Sequence, residues 1–340
     1  MIGYYVHHHG NGHLHRAQSV AAAADGPVTG LSSLPRPAAW TGDWVQLPRD
    51  DSAPGGYADS DVTARGRLHW VPLADAGLRG RMAAISAWME RAAPRVLVVD
   101  QSVEVCLLAR LHGVPVVGLT APGRRDDAAH RLGFDACTAV VGAWPHGWTP
   151  RLLPGVDSAV TDRFHAVGGV SRFPVSRRRP SVRRRPHAVL LAGTGGDGFT
   201  RESIANAQAQ TPDWDWTVLS RTLGSWHADP AIVLADADVA VIHPGQNSLA
   251  EIAAARLPAV VLPARRPFDE QQVTAEALRH GWPAVVLDGV GDTDRWSEVL
   301  EEARALDAED WVRWCDGRAA DRIVRVIEQV AEDVVVEVGA

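Results

Sequence analysis

Two runs of alternating strand-like and helix-like segments, broken once by a stretch rich in Arg and Pro, constrain the fold of this chain more than any other feature. In the first run, β-rich apolar segments at Ile2–Val6, Trp44–Leu47, Val96–Asp100, Val114–Leu119 and Ala139–Gly142 alternate with helical apolar spacing at Leu14–Ala24, Arg81–Arg91 and Val103–Leu111. Ser171–Pro186 then carries seven Arg and three Pro, too polar and too proline-rich to be buried. The rhythm restarts with strand-like segments at Ala188–Ala192, Trp216–Ser220, Val239–Ile242, Ala259–Leu262 and Ala284–Leu287, and helices are expected at Thr200–Gln208, Ser248–Ala255, Phe268–Arg279, Ser297–Ala305 and Trp311–Val330. The pattern predicts an α/β protein of two Rossmann-like, doubly wound domains, residues 1–170 and 187–332, joined by a linker at 171–186 and followed by a tail at 333–340. A length of 340 residues agrees, since single cores stop growing near roughly 250–300. Ligands of such domains bind outside the carboxyl ends of the strands, so the cleft between the domains is the expected active site.

Composition removes several chemistries. All 34 basic residues are Arg, which excludes a Schiff-base lysine and a P-loop lysine. Cys106, Cys137 and Cys315 are widely spaced and suggest neither a disulfide framework nor a zinc ribbon; they read as reduced core thiols. A net charge of -7 gives no reason to expect nucleic-acid affinity. The N-terminus runs directly into a strand with no leader pattern, and no apolar run approaches 18 residues, so a cytoplasmic protein is expected. The linker arginines leave weak peripheral contact with anionic lipid open, beside plain solvation.

The most informative stretch is His243-Pro244-Gly245-Gln246-Asn247-Ser248-Leu249-Ala250-Glu251, directly after a strand and opening a helix. Such a turn exposes backbone N–H groups and the positive helix end, which receive phosphate without a metal. Glu251, three residues after Ser248, can accept two hydrogen bonds from a ribose diol. A capping box, Ser-x-x-Glu, would use the same two residues locally.

The residues that follow, Glu251-Ile-Ala-Ala-Ala-Arg-Leu-Pro258-Ala-Val-Val-Leu-Pro263 and then Pro267-Phe268-Asp269-Glu270-Gln271-Gln272, complete a module of about 35 residues. In order, spacing and context it resembles the donor-site module of glycosyltransferase family 28, which includes the N-acetylglucosaminyltransferase of lipid-linked peptidoglycan synthesis. The resemblance implies the GT-B fold and a nucleotide-sugar, UDP-linked or similar, as substrate, with no cofactor and no metal. It also implies that Glu251 holds the ribose, that the Gln246/Asn247/Ser248 helix start with Gly245 holds the diphosphate, and that Asp269, Glu270, Gln271 and Gln272 face the donor sugar. His243 stands where the family has a phosphate-proximal His, although a core His bonded to backbone fits equally. Arg265-Arg266 departs from the pattern and reads as a solvated loop.

A second cluster, Gly193-Thr194-Gly195-Gly196-Asp197-Gly198, satisfies the dinucleotide fingerprint G-x-G-x-x-G. An acid is expected at the end of the next strand, yet Trp216–Ser220 runs into Arg221, which leaves an NADP-dependent oxidoreductase as a weaker alternative. In the family reading the same loop lines the cleft and its amides approach the donor phosphates. In the first half, Gly10-Asn11-Gly12-His13 resembles the G-x-G-H loop of the same glycosyltransferases, where acceptor and donor sugar meet, but without the longer glycine run of the peptidoglycan enzyme.

An inverting transfer needs a base, and neutral His13 at a helix start suits that task, with Asp100 at the end of a strand to orient it. Phosphate contact and a structural cap are the other readings of His13. His7, His8 and His9 should alternate faces on a strand end, which argues against a metal site there. Asp50–Ser60 reads as an acceptor loop or a long connection, and Trp144 and Trp148 as core or acceptor contacts. The acceptor is unknown, and a nucleotide-sugar epimerase or hydrolase, or a non-catalytic nucleotide-sugar-binding protein, would share the donor pocket.

Overall fold

A computed structural model describes all residues except 52–55, 58–59, 178–182, 193–197, 221, 224–226, 228, 290–293 and 340, with the backbone alone for 334–339. Twelve strands among the described residues form two fully parallel sheets. The first contains β1 (Ile2–Val6), β2 (Val28–Ser32), β3 (Trp44–Gln46), β4 (Val96–Asp100), β5 (Val116–Thr120), β6 (Ala139–Gly142) and β7 (Phe164–Ala166), in the spatial order β3-β2-β1-β4-β5-β6-β7. The second contains β8 (His187–Leu191), β9 (Asp215–Leu219), β10 (Val239–Ile242), β11 (Ala259–Val261) and β12 (Ala284–Val286), ordered β12-β11-β10-β8-β9. Central strands such as β1, β4 and β10 are buried along their whole length, as the unbroken Val/Ile/Leu runs of parallel sheets require.

Each sheet reverses winding beside its first strand. In the first sheet the reversal falls between β1 and β4, with Val6 level with Asp100. In the second it falls between β8 and β10, with Leu191 level with Ile242. Loops that leave neighbouring strands at such a point diverge to opposite faces and open a crevice. The loops after Val6, Asp100 and Ile242 therefore meet at one place, and this positions the site.

Two strands escape the sequence pattern. Val28–Ser32 (VTGLS) follows Gly26-Pro27 and looks like a turn, but it is a buried inner strand. Gly30 is required there, because a Cβ would stand 2.3 Å from the Trp44 ring. Phe164–Ala166 is a three-residue edge strand, too short to show a period.

The last helix, Ala319–Gly339, departs from the expected domain assignment. It buries Ile323, Ile327 and Val330 against Tyr4, Val6 and Val98 of the first sheet rather than closing the second domain. Its apolar stripe specifies that it packs on a sheet but not on which one. Trp311 and Trp314, in contrast, pack beside Trp282 in the core of the second domain, where Trp144 is also fully buried.

Candidate active site

After β1 the chain passes His7, His8 and His9, turns at Gly10 with φ of 82°, and enters the helix Asn11–Ala23. A glycine meets the left-handed turn without steric cost and leaves the helix with no side-chain cap. His13 sits in the first turn of this helix. Its Nδ1 lies 2.9 Å from Oδ1 of Asp100, which is fully buried at the end of the neighbouring strand. The carboxylate thus selects the tautomer with the proton on Nδ1 and leaves the Nε2 lone pair for the cleft.

Arg16, one turn further along the same helix and 4% exposed, donates from Nε to Oδ2 of Asp100 at 2.9 Å and from Nη2 to Oδ1 at 3.2 Å. Burial alone would raise the Asp100 carboxyl, but the Arg16 guanidinium, together with His13, holds it well below the usual carboxylate range. No motif in the sequence marks Arg16 as part of the site. The available signal was its i+3 spacing from His13, which places both on one helix face.

Across the cleft, the helix Gln246–Ala254 starts at Gly245 with no side-chain cap. The capping box expected from Ser248-x-x-Glu251 does not form, because Ser248 lies within the first turn and Glu251 turns to Arg172 instead. Side chains of this turn reach the first domain. Arg16 Nη1 donates to Oε1 of Gln246 at 2.9 Å, and Asn247 Nδ2 donates to the Gly12 carbonyl at 3.3 Å. His243 donates from Nδ1 to the Leu262 carbonyl at 2.6 Å and stacks on Phe199, while its buried Nε2 has no hydrogen-bond partner among the described residues. Burial lowers the affinity of His243 for a proton, the Leu262 bond opposes this, and Arg266 reinforces it. The crevice between the two helix starts has a volume of about 490 Å³ and is lined by Gly10, Gly12, His13, Gly245, Gln246 and Ser248, among others.

No protein-family model matches the chain, and no curated protein matches it. Solved structures do. The glycotransferase of kitacinnamycin aligns at 18% identity over 96% of this chain and 98% of its own, with a TM-score of 0.66. MurG from Acinetobacter baumannii aligns at 14% identity over 96% and 99%, with a TM-score of 0.61. The chain has the GT-B glycosyltransferase fold. A third structure with this fold, Arabidopsis thaliana UGT89C1 complexed with UDP, aligns at 12% identity over 99% of this chain and 98% of its own, with a TM-score of 0.61.

The GT-B cleft gathers some of the residues singled out from sequence and not others. Glu270 and Gln271 line it, Glu270 facing Arg125 of the first domain at 3.8 Å. Gln271 accepts from the Ala264 N–H at 2.8 Å and Gln272 donates to the Ala264 carbonyl at 3.1 Å, so the pair clamps the loop after β11. Asp269 is exposed and faces Arg124 across the domains at 3.5 Å. Glu251 is buried behind the helix start, with Oε1 2.7 Å from Arg172 Nε and Oε2 3.4 Å from its Nη2; burial raises the carboxyl and Arg172 partly offsets the rise. Arg266, read from sequence as solvated, lines the cleft. Gly193, Thr194, Gly195 and Gly196 lie outside the described residues. Gly198 is described and rests against His243, where a Cβ would stand 2.1 Å from Nε2.

The three adjacent histidines also differ from expectation. The strand ends at Val6, so alternation does not extend to them, and His8 and His9 both reach Asp51, at 3.3 and 2.9 Å. A second cluster joins His69, Asp127 and His130. It borders a larger cavity of about 730 Å³ sunk into the first domain and joined to the cleft at His7, His9, Gln101, Pro267 and Glu270. Among the described linker arginines, Arg172 holds Glu251, Arg183 holds Asp236 and Arg185 lies 3.5 Å from Asp215. No helix among the described residues is long and apolar enough to cross a membrane.

Proposed function

We propose that the protein is an inverting glycosyltransferase that moves a sugar from a nucleoside-diphosphate sugar, UDP-linked by preference, to an acceptor hydroxyl. The observation that carries this reading is the convergence of the His13–Asp100 pair with the uncapped start of helix Gln246–Ala254 in one crevice. That helix start supplies free N–H groups and a positive dipole end for the diphosphate, close to the cationic Arg266. An entering diphosphate raises the proton affinity of His243, so that Nε2 becomes a donor to it. The complex of UGT89C1 with UDP supports a nucleotide site in this fold.

In the transfer, His13 Nε2 takes the acceptor hydroxyl proton while the oxygen forms its bond to the anomeric carbon. The bond from that carbon to the diphosphate oxygen breaks, and its electron pair leaves with the diphosphate, stabilised by the helix start. Attack opposite the leaving group inverts the anomeric centre. Asp100 keeps His13 in the reactive tautomer and stabilises the imidazolium that forms.

We assign no metal to this chemistry. His8 Nδ1 accepts from Arg81 at 3.3 Å and His130 Nε2 accepts from Arg125 at 2.9 Å. Because Arg only donates, each ring carries its proton on the nitrogen that faces the carboxylate, where a metal would need a lone pair. The His8 and His130 rings are thus committed to hydrogen bonds on both nitrogens, while His69 only approaches Asp127, at 3.5 Å.

Glu251 is assigned to the ribose through Oε2, the oxygen that Arg172 reaches only at 3.4 Å. Glu251→Gln should weaken nucleoside diphosphate binding by about 1–3 kcal/mol, measured calorimetrically; unchanged affinity removes the ribose assignment. Turnover of UDP-glucose and UDP-N-acetylglucosamine with hydroxylated acceptors, followed by NMR of the glycoside, tests the reaction. A product of inverted anomeric configuration is expected. Donor turnover that is independent of any acceptor would identify a hydrolase or epimerase instead.

A further inference from the structure

Gln101 follows Asp100 directly and holds a φ of 61°, the left-handed region that non-glycine residues rarely adopt. Ser102 next to it caps the helix Val103–Leu111, its Oγ accepting from the Val105 N–H at 3.3 Å. A single residue therefore joins the buried end of β4 to a fixed helix cap, and the chain spends backbone strain to place it. Gln101 lines both the cleft and the 730 Å³ cavity, and its amide has no hydrogen-bond partner among the described residues. A polar side chain with an unused donor and acceptor thus stands where the two cavities join.

The cavity beyond this junction is walled by Val99, Val103, Leu119, Phe134 and Phe268. Its volume lies within the roughly 300–1,000 Å³ that enclose drug-sized ligands. Thr63, Arg125, Asp127 and His130 add polar groups to its lining, so it suits a ligand with a mainly apolar body and a few hydroxyl or carbonyl groups.

We infer that the acceptor is a small hydroxylated molecule with an apolar, ring-containing body that lodges in this cavity, and that Gln101 positions its reacting hydroxyl beside His13. The amide N–H donates to the hydroxyl oxygen and leaves the hydroxyl proton directed at His13 Nε2. This assignment rests on the transfer reading of the cleft.

The test is a fluorescence titration of 7-hydroxy-4-methylcoumarin into the wild-type protein and into Gln101→Leu, Gln101→Asn and Gln101→Gly, with UDP affinity and Tm measured for each. The wild type should bind the coumarin. The Leu and Gly variants should bind it about 3- to 10-fold more weakly, as expected for one lost hydrogen bond, and Asn, which keeps the amide and tolerates the left-handed turn, should fall between. UDP affinity should be the same in all four. The Gly variant separates the two roles, because it relaxes the backbone while deleting the amide: wild-type coumarin binding by that variant, or by the Leu variant, overturns the assignment. Failure of the wild type to bind the coumarin while it binds UDP also overturns it. Gln101-dependent coumarin binding without nucleotide binding would support the acceptor cavity and count against the donor reading instead.

Discussion

Replacement of His13 by alanine is expected to lower sugar transfer by about 100- to 10,000-fold while nucleoside diphosphate affinity stays within about twofold. In the proposed reaction the imidazole is the base and makes no required contact to the diphosphate, which the Gln246–Ala254 helix start on the other wall would receive. Fold stability should change little, because Asp100 keeps both of its bonds to Arg16 when the ring is removed. Single-turnover kinetics with saturating donor, beside a thermal melt, separate these effects. Full transfer by the variant would remove His13 from the chemistry, and a collapse of nucleotide affinity would make it a phosphate contact.

The second large effect is on stability. Asp100 is fully buried and Arg16 is 4% exposed, so Asp100→Leu leaves a guanidinium charge in the interior without its counter-ion. Breaking such a pair costs about 3–5 kcal/mol, which for a domain of this size corresponds to a fall in Tm of roughly 6–20 °C. Removal of both charges in the double variant Arg16→Met, Asp100→Leu should recover most of that loss, because neither ion is then left uncompensated. Equal Tm values for the single and double variants would mean that the pair is not energetically coupled. The same pair predicts a pH effect. The folded carboxyl is held below its unfolded value, so its stabilisation is fully present above about pH 4 and is lost as pH falls through the folded value. The Arg16→Met, Asp100→Leu variant should therefore lose less stability than the wild type on acidification.

Much of this architecture is legible in the sequence because parallel α/β layers write themselves as apolar runs at the sheet centres. β1, β4, β6 and β10 fall where the runs of Val and Ile place them. The His13–Asp100 contact was also legible, since doubly wound topology brings the ends of β1 and β4 side by side. Val28–Ser32 was hidden because its Gly is demanded by a neighbouring tryptophan and not by a turn. The docking of Ala319–Gly339 on the first sheet was not legible, because an apolar stripe carries no address. Side-chain partnerships across long separations were the other gap. Arg172 on Glu251 and Arg16 on Gln246 join residues 79 and 230 positions apart, and charge alone does not say which carboxylate or amide an arginine will find.

The central claim is that the GT-B cleft holds a nucleoside diphosphate without a metal. A calorimetric panel of UDP, GDP, dTDP and NADP in the presence of EDTA tests it most directly. The proposed function predicts selective binding of one nucleoside diphosphate, UDP by preference, weakened by Glu251→Gln. Binding of NADP alone, unaffected by that substitution, would contradict the account and make the Gly193–Gly198 fingerprint the true nucleotide signal.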